Sequence, residues 1–252
     1  VEFASLFSTL GSEVSVIEMM DEIIPFMDKD QAPLLRRAMK KVAFKLGCKV
    51  QKLEGNTLIY TNKEGKEEQL EADLILMAVG RRPVLDGWGA EQAGLDLSSK
   101  GVNVDEHMRT NVPGIWAAGD VTGRSLLAHS AYRMAEVALA DMLDYLDGSE
   151  NARFNRMRYH AIPWAVYSLP EAAGVGITEQ EAEAKGINIL KASLPMKISG
   201  RFVAENTFAG PGSVKVIASA SDGRILGIHA LGAYASEFIW GAAALIEQEL
   251  RI

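Results

Sequence analysis

With 252 residues, 48% of them hydrophobic, the chain can build two domains of ordinary size and bury a core in each. Its 26 Lys and Arg are scattered among 33 Asp and Glu, and the net charge of -7 argues against a nucleic-acid or membrane-surface protein. A single cysteine, Cys48, excludes an internal disulfide and a CxxC metal pattern and suits a reducing, cytoplasmic setting, and no apolar stretch approaches the length of a membrane span.

The first residues, Val1 to Leu10, carry apolar side chains at helical spacing, and Gly11 ends the pattern where a left-handed residue is favoured. Glu13 to Glu18 follows as a short β-branched strand that ends on an acid. A second helix is expected from Asp30 as N-cap, through Pro33 in its first turn, to about Lys40. Val42–Leu46, Lys49–Leu53 and Leu58–Thr61, separated by turn residues, predict an antiparallel meander. Asp73 to Val79 is a continuous apolar run, the pattern of a parallel strand buried on both faces, closed by Gly80-Arg81-Arg82-Pro83. From Val84 to Val112 the sequence is loop-rich, with one isolated strand predicted at Val102–Val104. Ile115 to Asp120 predicts a short buried strand that delivers an acid to its carboxyl end, and a long helix runs from about Leu127 to Leu146. Beyond Tyr159 an α+β alternation sets in. It holds a helix capped by Thr178 with Glu181 completing a capping box, strands at Ile187–Leu194, Gly212–Ala218 and Ile225–Ala230, and a helix opening near Ser236. The chain starts and stops inside helical patterns, so both ends are expected to be cuts in a longer protein.

Three positions invite chemistry. Glu18 stands at the end of a strand preceded by a helix and a glycine turn, the place from which a dinucleotide-binding unit hydrogen-bonds an adenosine ribose. A carboxylate there favours NAD over NADP because it repels a 2′-phosphate. Val79-Gly80-Arg81 lies at the carboxyl end of the expected parallel strand, where open α/β sheets place ligands, and Gly80 lets backbone approach a cofactor closely. Asp120 ends the strand of Trp116-Ala117-Ala118-Gly119-Asp120, and a carboxylate there can bind polyol hydroxyls. The alternatives, a solvated surface acid, solvated arginines and an ordinary Gly-Asp turn, stand beside these readings.

Taken in order, Glu2-Phe3-Ala4, Val16-Ile17-Glu18, Gly80-Arg81-Arg82-Pro83 and Trp116 to Asp120 resemble the pyridine-nucleotide disulfide oxidoreductase family. The likeness extends through Pro170-Glu171, Gly174 to Glu179, Gly223 to His229 and Ala235-Ser236-Glu237, which resemble its dimerisation domain. Leu127-Ala128-His129 is similar to the dihydrolipoamide dehydrogenase and mercuric reductase branches. The resemblance implies an α/β protein with a partial Rossmann-like NAD domain and meander at 1–83, a segment contacting FAD at 84–156, and an α+β dimerisation domain at 157–252. It implies FAD and NAD as cofactors. Glu18, Val50, Val79, Gly80 and Arg81 would line the NAD site; Asp120, Ala128 and His129 would contact FAD; Glu2 would pair with a lysine near the flavin. It further implies oxidation of dihydrolipoamide, a homodimer, and as partner the lipoyl domain of a 2-oxoacid dehydrogenase or glycine cleavage complex. The redox cysteine pair and the catalytic His-Glu pair of the family match nothing here, so no catalytic residue and no metal ligand is expected in the chain. Mercuric or another disulfide reduction, and a dimerising module without catalysis, are the competing readings.

Overall fold

The computed structural model describes residues 1–151 and 155–252. They form two compact units, one joining Val1–Leu76 to His160–Ile252 and the other spanning Met77–Tyr159.

In chain order, helix α1 (Glu2–Thr9) leads into strand β1 (Val14–Ile17), helix α2 (Gln31–Ala38) and strand β2 (Val42–Lys45). β1 and β2 pair in parallel, Val14 opposite Val42 and Ile17 opposite Lys45. Parallel neighbours need a crossover, and α2 supplies it, so this is the βαβ unit of a Rossmann-like fold. Val42–Leu46 therefore does not belong to the meander as its strand propensity and turns suggested. Its β-branched and aromatic residues are used against β1. The meander consists of β3 (Lys49–Glu54), β4 (Thr57–Thr61) and β5 (Glu67–Glu71), antiparallel in that order. β5 has the sequence Glu-Glu-Gln-Leu-Glu, which strand propensity disfavours, and cross-strand pairing with β4 overrides that preference.

Residues 73–79 form no strand, and no backbone pairing is seen for them among the described residues. Met77 is 82% exposed and Val79 87%, against the expectation of burial on both faces. A strand of this kind requires a hydrogen-bonded neighbour, and none pairs with it among the described residues. The second unit continues with a small hairpin, β6 (Leu97–Ser98) and β7 (Gly101–Val102), in place of the isolated strand expected at 102–104. Ile115–Asp120 is likewise no strand: apart from one bridge between Arg109 and Trp116 it is irregular, and a 3-10 turn covers Gly119–Thr122. Helix α3 (Ala128–Asp147) follows, and its buried stripe of Met134, Val137, Ala138 and Asp141 faces the core of this unit.

The chain then returns to the first unit through β8 (Trp164–Val166), β9 (Ala172–Gly176), α4 (Glu179–Ala184), β10 (Ile189–Pro195), α5 (Gly200–Asn206), β11 (Ser213–Ser219), β12 (Ile225–Leu231) and α6 (Ala235–Glu247). The capping box at Thr178 and Glu181 forms as expected. The strands make one antiparallel sheet in the order β10-β11-β12-β9-β8. Alternation sorts its side chains. Ala173, Val175, Ile228 and Ala230 pack with Ala235, Ile239, Ala242 and Ile246, which recur along one face of α6. On the other face Val166, Ala172 and Leu231 join Ala4, Ile23, Met27 and Leu35 from the start of the chain. The core of this unit is thus built from both ends of the sequence.

Candidate functional site

In the first unit, Glu18 leaves β1 at its carboxyl end. Its N–H donates to the Lys45 carbonyl at 2.9 Å, and its own carbonyl accepts from Cys48 N–H at 2.9 Å. The Gly47 N–H donates to the Met20 carbonyl at 3.0 Å, so the residues after β1 are clamped beside the residues after β2. One carboxylate oxygen of Glu18 accepts the Met20 N–H at 2.8 Å, and no partner of the other is seen among the described residues. Val50, half exposed at the start of β3, lies two residues beyond Cys48, so the turn after β2 brings it toward Glu18. Glu2 opens α1 and its Oε1 accepts the Tyr167 N–H at 2.9 Å, while Ser5 Oγ accepts from Leu169 N–H at 2.9 Å. At least one oxygen of Glu2 therefore ties α1 to the segment after β8. Cys48 is buried, its thiol 3.4 Å from the Leu46 carbonyl, a small core residue as its solitary position suggested.

In the second unit, Val79, Gly80 and Arg81 lie in the open segment that replaces the expected strand, and all three are exposed. Asp120 is exposed as well, in contrast to the buried acid that the apolar residues before it suggested; it sits in the 3-10 turn. That turn is nonetheless held firmly. Thr122 Oγ1 donates to the Gly119 carbonyl at 2.8 Å, and the Gly119 N–H meets Met134 Sδ of α3 at 3.2 Å. Gly123 closes the turn at φ +62°, and a Cβ there would lie 1.7 Å from the Lys100 carbonyl oxygen, so only glycine lets the β6–β7 hairpin approach the turn this closely. Ala128 and His129 begin α3. Its N-cap is Leu127, an apolar residue without a capping oxygen, and no side chain caps the helix. The positive end of this 20-residue helix therefore lies where Ala128 and His129 begin it, and the N-cap side chain itself offers no acceptor. Asp120, Ala128 and His129 thus share one neighbourhood of the second unit.

Two buried ionic groups lie outside the residues singled out from sequence. Asp141 on α3 accepts Arg109 Nε at 2.6 Å and a second guanidinium N–H at 2.7 Å, with the Trp116 indole N–H at 2.8 Å. Burial pushes its carboxyl up, but the Arg109 and Trp116 donors prevail and hold it below the usual carboxylate range. The signal was an acid on the apolar stripe of α3. In the first unit, Lys215 of β11 is 1% exposed and donates to Asp28 at 2.8 Å, Asp30 at 2.6 Å and Glu179 at 2.5 Å. Burial pushes the ammonium pKa down, yet the three carboxylates hold it above its ordinary value. Asp30, expected to cap α2 with its side chain, instead spends its carboxylate on Lys215. A lysine inside the apolar run of β11 was the available signal. Among the described residues no cluster of His, Cys, Asp and Glu could hold a metal, and no helix is long and apolar enough to cross a membrane.

A parallel βαβ unit with an acid after its first strand, a long helix beginning beside an Asp-bearing turn, and a five-stranded antiparallel sheet backed by α6 make this an α/β protein with a βαβ unit of the dinucleotide-binding type. Residues 1–135 match the family described as pyridine nucleotide-disulphide oxidoreductase, and residues 162–252 match its dimerisation domain. The chain belongs to this family, which uses FAD and a nicotinamide nucleotide. It is similar to a dihydrolipoyl dehydrogenase of Thermus scotoductus, with 37% identity over 98% of this chain and 53% of the relative. It is also similar to one of Bacillus subtilis, with 32% identity over 99% of this chain and 53% of the relative. Among solved structures, the HOCl-induced flavoprotein disulfide reductase RclA of Escherichia coli superposes with a TM-score of 0.80 at 26% identity, over 99% of this chain and 56% of that one. LpdA of Mycobacterium tuberculosis superposes with a TM-score of 0.81 at 25% identity, over 99% and 53%. The chain spans about half the length of the relatives it matches.

Proposed function

We propose that the protein carrying this chain is an NAD-dependent dihydrolipoamide dehydrogenase, in which this chain supplies contacts to both cofactors and the pairing surface of a homodimer. The observation that carries the reading is Glu18: a carboxylate at the carboxyl end of a parallel strand, steered by one backbone N–H, with its second oxygen available to ribose hydroxyls. Val50 lines the same side of the unit. A carboxylate there repels a 2′-phosphate, which favours NAD over NADP. For FAD, the residues present fit the group: the positive N-terminal end of α3, begun by Ala128 and His129, suits negative charge on the flavin pyrimidine ring, and Asp120 on its locked turn accepts ribityl hydroxyls. Glu2 serves as partner to a lysine near the flavin.

The net reaction is dihydrolipoamide plus NAD⁺ giving lipoamide, NADH and a proton. FAD, when bound, relays the two electrons between a dithiol and the nicotinamide. Such a relay needs a cysteine pair, and this chain has one cysteine, buried Cys48, so its own residues bind and orient and do not exchange disulfides. Similarity to dihydrolipoyl dehydrogenases at 37% and 32% identity supports lipoamide as substrate, and the reading takes a lipoyl domain of a 2-oxoacid dehydrogenase or glycine cleavage complex as the partner that delivers it. The test is steady-state kinetics of the whole protein with Glu18→Ala. Each hydrogen bond to a charged acceptor contributes roughly 1.5–3 kcal/mol, so the KM for NAD⁺ should rise at least tenfold while that for dihydrolipoamide stays put. An unchanged KM for NAD⁺ removes Glu18 from the site; absence of lipoamide turnover in the unmodified protein overturns the reading.

A further inference from the structure

Lys215, His229, Gly174 and Trp164 stand side by side across the sheet, Lys215 opposite His229, His229 opposite Gly174, and Gly174 opposite Trp164. Both ends of this row grip the loop that runs from Met19 to Asp30. At one end Lys215 holds Asp28 and Asp30. At the other, the Trp164 ring meets Phe26 edge-on at 5.2 Å. Asp28 is itself fully buried, and its other oxygen accepts the Glu179 N–H at 3.0 Å. Gln180 Nε2 donates to the Met27 carbonyl at 2.8 Å, which closes α4 over the loop.

His229, in the middle of the row, is 0% exposed. Its Nε2 lies 2.9 Å from the Ile177 carbonyl, so that nitrogen carries the proton. Its Nδ1 has no partner among the described residues. It faces Gly174, where even a Cβ would come within 2.7 Å of it and 2.5 Å of the Trp164 ring. A second proton on the imidazole would therefore bury an N–H without an acceptor and place a cation on the strand next to the Lys215 ammonium. The charged groups facing His229 are Asp28 from the loop, Lys215 from β11 and Glu181 from α4.

We propose that this row is an acid-operated seat for the loop at 19–30: neutral His229 tolerates the docked loop, and protonated His229 is accommodated only when the loop lifts and water reaches Nδ1. Burial holds the imidazole below its ordinary pKa despite the Ile177 carbonyl, in keeping with that geometry. The sign follows from linkage. A group whose pKa is depressed in the docked state binds fewer protons there than in the open state, so docking is strongest above the ordinary histidine range and weakens as pH falls through it. The loop begins beside Glu18, so its release frees one flank of the proposed ribose acid; that consequence rests on the function proposed above, but the seat does not.

Hydrogen exchange on the 252-residue chain tests the seat directly. After correction for intrinsic exchange rates, protection of amides in residues 22–31 should fall by up to about tenfold between pH 7.5 and 5.5, the limit for one histidine of ordinary open-state pKa. Amides of α6 should hold their protection. Carboxylates of ordinary pKa stay ionised throughout this interval, so the change reports on His229 and not on Asp28 or Glu179. His229→Gln keeps a donor for the Ile177 carbonyl and cannot titrate, so the fall should vanish. Equal protection of the unmodified loop at both pH values overturns the proposal without any variant, and so does an undiminished fall in H229Q. An NMR titration of the His229 ring, expected to protonate below the ordinary histidine range, gives a second reading; an ordinary titration curve counts against the seat.

Discussion

Leu74–Val79 and Ile225–Leu231 are both short apolar runs bounded by turns, and their fates are opposite. Ile225–Leu231 becomes β12, with β11 on one edge, β9 on the other, α6 over one face and the start of the chain over the other. Leu74–Val79 has no paired neighbour among the described residues and leaves Leu74, Met77 and Val79 in solvent. Composition sets what a segment would gain from burial. Whether it is buried depends on partners for its backbone N–H and C=O groups, since an unpaired peptide group taken out of water costs more than most side chains return.

The contrast can be broken most severely at Gly227. A Cβ there would lie 2.1 Å from the Ile177 carbonyl oxygen, a backbone atom, so Gly227→Val should part β12 from the turn before α4. We expect a loss of more than about 4 kcal/mol, read as a collapse of the urea midpoint by circular dichroism. A normal midpoint would show that β12 is not the keystone of the sheet.

Lys215→Met removes a cation and leaves Asp28 and Glu179 buried around an apolar chain, and breaking a buried pair in this way costs about 3–5 kcal/mol. The same cluster sets an acid limit. Burial opposes the ionised form of Asp28, while Lys191 and Lys215 act on Glu179, and in both residues the carboxyl ends up below its ordinary value. Their stabilisation is therefore complete above the ordinary carboxylate range and drains away as pH falls below it. Thermal melts across that range should show the drop in the unmodified chain and a flatter profile in K215M. The smallest effect is expected at the other run: Val79→Lys should change stability by no more than about 0.5 kcal/mol, since the residue it replaces is already 87% exposed. A larger loss by urea titration would mean that the run has a partner in solution, and the comparison with β12 would narrow.

Much of the local structure was legible. α3, the capping box at Thr178 and Glu181, the strand before Glu18 and the three long strands of the second half all follow from periodicity, caps and turns. What escaped was pairing. β2 reads like the first strand of a meander until α2 carries it alongside β1, and β5 reads as a charged loop until β4 pairs with it. The site divides in the same way. Glu18 stands where its strand-end position suggested, whereas Asp120 stands exposed on a turn because the apolar residues before it find no strand to join.

The amino-acid sequence by itself determined the strand that ends on Glu18, the span of α3, the capping box before α4 and the likeness to the family, because each is written in neighbouring residues. Only the tertiary structure decided that Lys215 meets Asp28 and Asp30, that His229 lies buried opposite Lys215 in the sheet, and that the first and last thirds of the chain share one core. Those contacts join residues far apart along the chain, and a strand signals only that alternate side chains face opposite sides, not which distant segment will cover each side.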